Sequence, residues 1–273
     1  MMTLFSVLNL HLHLPDVAPE LCKIHLAQSN NDSVLDHFYA GTFQSWQEGQ
    51  TQKNFGQAYI ISLIQLPQKN KWLFAGCFRS LSVSSEKING YWKYETEELT
   101  ECSELEGRLI IDFQRTGRAS YLRAENWAEQ LTVAEFKAQR MSVQEFPGYN
   151  QTSISKSTLD IIISQQIQSW RGALSNIAGI YLITDTNTGK LYVGSATGSE
   201  GIWQRWSDYS VNVHGGNKDL KEALKLNGSD YSRHFQYSIL EIADTHASDQ
   251  DILTRESYWK QVLRTREFGY NAN

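Results

Sequence analysis

The sequence predicts an α+β protein of two domains: a β-rich, barrel-like N-terminal domain, then a small domain whose short, mainly antiparallel sheet is flanked by helices. Three observations lead there. Apolar runs of strand length recur through residues 1–145, the segment Phe146-Pro147-Gly148-Tyr149 punctuates the chain, and beyond it a strand–turn–strand pattern is followed by helical periodicity. The 273 residues leave room for two domains, and 41% apolar residues with 12% aromatic suffice for packed cores. The expected boundaries are 1–145 for the β-rich domain, 146–172 for a linker with a connector helix, and 173–273 for the second domain.

Taken in order, Met1 to Leu14 is apolar but lacks a basic start and is interrupted by Asn9, His11 and His13, so it reads as a first strand and not as a signal peptide. His11 and His13 would share a strand face, but with no third ligand in view they read as exposed. A short helix is expected from Pro19 to Gln28, then strands at Ala58 to Leu66, Trp72 to Val83, Tyr91 to Glu95, Arg108 to Phe113 and Ala119 to Arg123, a number that fits a small barrel. Trp72, Phe74, Tyr91, Trp92 and Tyr94 would stack a base or line a pocket, although alternating aromatics in strands more often form core. The run Glu95 to Glu106 holds six glutamates and no base, and reads as a solvated segment. Cys22, Cys77 and Cys102 have no metal-like spacing and cannot all pair, which points to a reducing, cytoplasmic setting. No apolar stretch approaches the length of a membrane span. Past the boundary, Thr158 to Trp170 places Leu159, Ile162, Ile163 and Ile167 on one side of a helix.

The chemistry is concentrated near the C-terminus. Gly179-Ile180-Tyr181 and Tyr192-Val193-Gly194 lie on two short apolar runs around an Asp/Asn/Thr/Gly turn. If that turn is centred between Thr186 and Asn187, Tyr181 and Tyr192 sit directly across a hairpin on one face. Arg205 falls between Ile202 and Tyr209 on a helical segment. The segment Ser248 to Arg264 reads as a helix capped by Ser248 and Asp251, with Glu256 inside its apolar stripe. A carboxylate there needs a cation, a metal or donors; Arg255, Arg233 or Lys260 would supply the cation in a purely structural reading.

This set, in this order, resembles the GIY-YIG nuclease family over residues 174–273. Val193 stands where the family has isoleucine, and Tyr209 follows the arginine by one helical turn, as in the excision-repair branch. His214-Gly215-Gly216-Asn217 resembles an element of a bacterial branch whose catalytic domain trails an N-terminal domain. The resemblance implies an endonuclease with one divalent cation, Mg2+ or Mn2+, held by Glu256. Tyr181 would be the general base, with Tyr192 orienting or assisting it and Arg205 forking onto a phosphate oxygen. Asn271 and Tyr209 complete the expected catalytic set; Gly194, Lys190, His214 and Lys218 are candidates for contact with substrate. DNA, in duplex form, is the expected substrate, and two copies on DNA would be needed to cut both strands at a symmetric site.

Charge sets a limit on binding. Formal net charge is −5, and from Arg171 onward 11 basic residues face 12 acidic ones, so affinity must come from local patches and not from a basic field. Restriction of foreign or modified DNA is the preferred setting, since a single catalytic domain carries a compact recognition-like partner. A binding module that has lost catalysis, and a repair or mobile-element nuclease, stay open as alternatives.

Overall fold

In the computed structural model, which describes residues 2–12, 17–28, 33–198, 200–243 and 247–271, the chain divides into two units, 1–142 and 143–273. The first contains helix α1 (Leu4–Leu12), strand β1 (Cys22–Ala27), helices α2 (Val34–Tyr39) and α3 (Phe43–Gln47), and strands β2 (Gly49–Gln50), β3 (Tyr59–Gln65), β4 (Lys71–Val83), β5 (Trp92–Glu98), β6 (Leu109–Asp112), β7 (Tyr121–Arg123) and β8 (Thr132–Phe136). They form one curled sheet, a half-barrel, in the order β2-β5-β4-β3-β1-β7, with β6 pairing both β4 and β8. Among the described residues, only β1 and β3 pair in parallel.

Both faces of this sheet are covered. Leu4, Leu8, Ile24, Leu26, Ile61, Leu63, Trp72 and Phe74 pack on one side, and Val34, Phe38, Phe43, Phe55, Ile60, Ile64, Leu73 and Phe78 on the other. That explains why β3 and the first half of β4 read as continuous apolar runs and not as alternation. It also corrects the first expected strand: the apolar run near the N-terminus is helix α1, whose Leu4 and Leu8 are one turn apart and fully buried. His11 lies in its last turn, and His13 falls outside the described residues. The helix expected from Pro19 to Gln28 is a single 3-10 turn, Pro19–Leu21, leading straight into β1, which is held between β3 and β7.

Trp72, Phe74 and Tyr94 are core residues, whereas Tyr91 is 46% exposed. The glutamate run is partly paired: Arg79 bridges Glu97 at 2.8 Å, Ser82 donates to Glu95, and Glu106, half-hidden beside Glu98 and 3.4 Å from Arg140, has its carboxyl pushed up to about 7 by burial. All three cysteines are free and buried, and burial raises the Cys22 thiol to about 12, so it stays un-ionised.

The second unit contains β9 (Ser153–Ser155), α4 (Lys156–Ser164), α5 (Gln168–Leu174), β10 (Gly179–Asp185), β11 (Leu191–Ala196), α6 (Gly201–Asn212), α7 (Lys218–Asn227), β12 (Phe235–Ile242), α8 (Asp249–Val262) and α9 (Thr265–Phe268). Its antiparallel sheet has the order β11-β10-β12-β9. The connector helix expected over Thr158 to Trp170 is two helices, α4 and α5, broken where Gln166 takes a left-handed φ of 53°. The segment before them adds β9 to the edge of β12, so part of the stretch expected as linker belongs to this sheet. Among the described residues no helix is long and apolar enough to cross a membrane.

Candidate active site

The hairpin β10–β11 places the two tyrosines on one face, because Tyr181 lies opposite Gly194 and Tyr192 opposite Ile183. They are therefore diagonal neighbours and not the direct cross-strand pair expected. The turn carries the difference. The Asp185 carboxylate accepts from the backbone of Asn187 and Thr188 and from the Thr188 hydroxyl, which centres the turn one residue later than the alternation alone suggested. Asp185 is fully buried; burial raises its carboxyl, but hydrogen bonds from Thr188, Tyr270 and Tyr231 prevail and hold it below the usual range. An Asx turn at Asp185 was the one available signal in the sequence for this register.

The diagonal leaves room for a third ring. Tyr209, on α6, hydrogen-bonds Tyr181 hydroxyl to hydroxyl at 3.1 Å, and its ring meets those of Tyr181 and Tyr192 edge-on at 5.8 and 6.4 Å. Arg205, one turn earlier on the same helix, is close enough to the three phenols to feel their charge and holds its cation 5.9 Å from the Tyr209 ring. The result is a chain of polar groups, Tyr192, Tyr209, Tyr181, Arg205. Arg205 is about one-third exposed, lies 3.9 Å from the Asp208 carboxylate, and has its Nε buried without a hydrogen-bond partner.

The motif glycines are explained by this packing. A Cβ at Gly194 would collide with the Tyr181 hydroxyl, and one at Gly179 with the Glu241 carbonyl of β12. Gly215 does the same service for Tyr209: its backbone, at φ +51°, lies against the ring where a side chain would clash. The His214–Asn217 segment thus forms the turn between α6 and α7, with Asn217 accepting from Leu220 N at 2.8 Å as the cap of α7.

Burial distinguishes the phenols. Tyr181 and Tyr209 are completely buried, and desolvation pushes both hydroxyls far above the usual phenol range. Tyr192 keeps 8% of its surface exposed. The phenol expected to take a proton from water, Tyr181, thus has no exposed surface, whereas its neighbour Tyr192 keeps a little.

Glu256 reaches β11 from the other side. Capped by Ser248 and Asp251 in a reciprocal box as expected, α8 packs Ile252 against Ile180 and Val193. Glu256 accepts a short hydrogen bond from Ser195 and pairs with Lys260 at 2.7 Å, its side chain only 14% exposed. Successive residues of β11 alternate faces, so Tyr192 and Gly194 serve the tyrosine cluster and Ser195 serves Glu256. Ser195 escaped the sequence reading; its position three residues after Tyr192, on the opposite strand face, was the signal. Arg255, the adjacent cation, instead pairs with Glu241 at 2.7 Å.

Asn271, 1% exposed, is not frayed. Its Oδ1 accepts from Val193 N and its Nδ2 donates to Val193 O, both at 2.8 Å, which pins the backbone between Tyr192 and Gly194. The remaining candidates lie further out. Lys190 is exposed with its ammonium 5.3 Å from the Tyr270 ring, and Lys218 is exposed at the start of α7. His214 Nδ1 accepts from Gly216 N at 3.0 Å, and partial burial, with Lys221 nearby, lowers its pKa.

Among the described residues there is no cluster of three or more His, Cys, Asp or Glu side chains. The donor set at Glu256 is one carboxylate and one hydroxyl, all oxygen, with the Lys260 ammonium on the second carboxylate oxygen as the cation that a metal would join or displace. Mg2+ suits such a set, because it is held by one or two carboxylates and takes its other ligands from water and phosphate.

Residues 177–271 match the family model described as the GIY-YIG catalytic domain, which makes this unit a nuclease domain. Through it the chain belongs to the GIY-YIG nucleases. Two solved structures are similar in sequence: the catalytic domain of the homing endonuclease I-TevI, 32% identical over 35% of this chain and 98% of that one with a TM-score of 0.28, and a mutant form of the catalytic domain of intron endonuclease I-TevI, 28% identical over 36% and 94% with a TM-score of 0.29. No curated protein matches.

Proposed function

We propose that the chain is a metal-dependent DNA endonuclease acting in restriction of foreign or modified DNA, with the phosphodiester placed across the C-terminal end of β11. The observation that carries this reading is the cluster of Tyr192, Tyr209, Tyr181 and Arg205, joined by the Tyr181–Tyr209 hydrogen bond and ring contacts on one face of β11, with the Ser195-held carboxylate of Glu256 on the other. When bound at Glu256, a divalent cation would neutralise charge on the phosphoryl group and stabilise the departing 3′ oxygen.

The protein's own groups divide the remaining work. Arg205, with an orphaned Nε, offers donors to a non-bridging phosphate oxygen. Tyr192, which keeps 8% of its surface exposed while Tyr181 keeps none, takes the base role. Tyr209 packs its ring against Tyr192 and shares a hydrogen bond with Tyr181, so the two buried phenols back Tyr192 and keep its orientation. A free phenol titrates near 10, so the base depends on cationic surroundings to act near neutral pH. Asn271 holds the strand on which Tyr192 rides.

The test is cleavage of duplex DNA with magnesium, manganese or chelator. Tyr192→Phe and Glu256→Gln each remove one hydroxyl or one charge, and both are expected to fold and to lose at least about a hundredfold in rate. Normal cutting by either folded variant would refute its assigned role. Cutting in chelator would refute the metal.

A further inference from the structure

The first unit holds a cavity of about 500 Å3 that none of the chemistry above uses, within the range of small-ligand sites. Its wall is a ladder of flat rings. His25 lies parallel to Tyr121 at 5.1 Å and 11°, and parallel to Trp46 at 6.0 Å and 11°. Tyr91, half exposed, stands at the rim.

The polar groups are fixed before any ligand arrives. Gln50, 4% exposed, donates to Gln47 O at 2.6 Å and accepts from Asn54 at 2.8 Å and from the Tyr121 hydroxyl, so the ring of Tyr121 cannot swing. Behind His25, Gln47 Oε1 accepts from Ser62 at 2.7 Å and from His25 Nδ1 at 3.2 Å. Burial holds His25 neutral down to about 4, so with Nδ1 as donor its Nε2 is left as an acceptor. The amide of Gln47 is fully buried, and its Nε2 has no hydrogen-bond partner. Gln47 itself stands behind the wall and not among the residues that line the cavity; the lining amides are those of Gln28 and Gln50. Cations border the site: Lys93 lines it, and Arg115 hydrogen-bonds the lining residue Gln28.

Flat stacking surface, edge-directed amide and imidazole groups, and cations at the mouth are the requirements for holding one planar heteroaromatic ring that remains joined to phosphate. We propose that this cavity receives a single nucleobase extruded from the duplex, stacked on the His25–Trp46–Tyr121 wall, with Lys93 and Arg115 near the flanking phosphates. The proposal rests on the reading that the chain engages DNA, and it assigns base recognition to the unit that does not cut.

The test uses the full chain in chelator, with fluorescence anisotropy on duplexes that differ at one central position. That position carries a normal pair, each of the four bases mismatched, or 5-methylcytosine or 5-hydroxymethylcytosine opposite guanine. Mispairing lowers the cost of extrusion, so at least one altered duplex should bind about tenfold or more tighter than the normal one. Trp46→Ala, and the fold-safe rim variant Tyr91→Ala, should bring that ratio towards one. Equal affinity across the panel, or a ratio that survives both substitutions, overturns the proposal. Parallel lanes with magnesium separate the two readings: a selective protein that never cuts would sink the nuclease assignment alone, and a cutting protein with a flat panel would sink the pocket alone.

Discussion

At Val193, two hydrogen bonds from one terminal asparagine decide how firmly the catalytic strand is held. Asn271→Ala leaves a buried N–H and C=O without partners, a loss of about 1–3 kcal/mol each at most. We expect the variant to unfold at lower urea and to lose more than tenfold in cleavage rate; unchanged cleavage would relegate Asn271 to a stabilising clip. Gly194 is under a different constraint. Gly194→Ala would drive a methyl into the Tyr181 hydroxyl, so cleavage should fall sharply, and in Gly194→Ala/Tyr181→Phe the clash is relieved in part. Partial recovery of folding stability in the double variant, read by thermal melting, checks that the two positions share one volume. Neither pairing was legible from residue types. Tyr181, Tyr192, Arg205 and Glu256 stood out because their order and spacing resemble a family, and Lys260, four residues after Glu256 on the same helix, was among the cations the sequence offered it, whereas Ser195 became its partner only through the face that α8 presents.

Helix α8 was the most legible element, since Ser248 and Asp251 satisfy each other's backbone donors locally and need no tertiary partner. Ser248→Ala should therefore cost about 1 kcal/mol in urea unfolding with the site intact; a loss of cutting out of proportion to that cost would mean that the cap also positions Glu256. The hairpin was half legible. Alternation settled that the two tyrosines share a face, but register depended on the Asp185 turn, and a shift of two residues preserves the face while changing the neighbours. That shift is what admits Tyr209 between them. The N-terminal helix was misread because a short apolar run carries the same composition in a buried helix and a buried strand. What decides between them is the surface it meets, here one face of the curled sheet.

For the whole molecule, titration should expose both buried clusters. The His25 pKa is depressed to about 4 in the folded state, so its stabilising effect is complete above about 6.5 and is lost as pH falls towards 4, a decline of about 3 kcal/mol. In contrast, burial raises Tyr181, Tyr209 and Tyr237, so their contribution is intact below about 10 and fails as pH rises beyond it. Urea melts across pH should show an acid limb that His25→Phe flattens and an alkaline limb that Tyr209→Phe weakens; limbs unaffected by these changes would assign them to other groups. We further expect a fragment from Val143 to Asn273 to retain metal-dependent, poorly selective nicking, since β9 and α4 belong to its sheet and core. A fragment begun at Ser155 should be less stable because it loses most of β9.

By itself the sequence determined the division into a β-rich part and a hairpin-and-helix part, the capped helix α8, and the four side chains proposed for the chemistry, because each of these rests on local periodicity, capping or motif order. Tertiary structure decided the rest. It chose helix over strand at the N-terminus, brought the rings of Tyr181, Tyr192 and Tyr209 together with a hydrogen bond between Tyr181 and Tyr209, buried Tyr181 more completely than Tyr192, and set His25, Trp46 and Tyr121 around a cavity from three separate segments. Those outcomes depend on which surfaces meet, and burial is a property of the assembled fold that no single stretch of chain encodes.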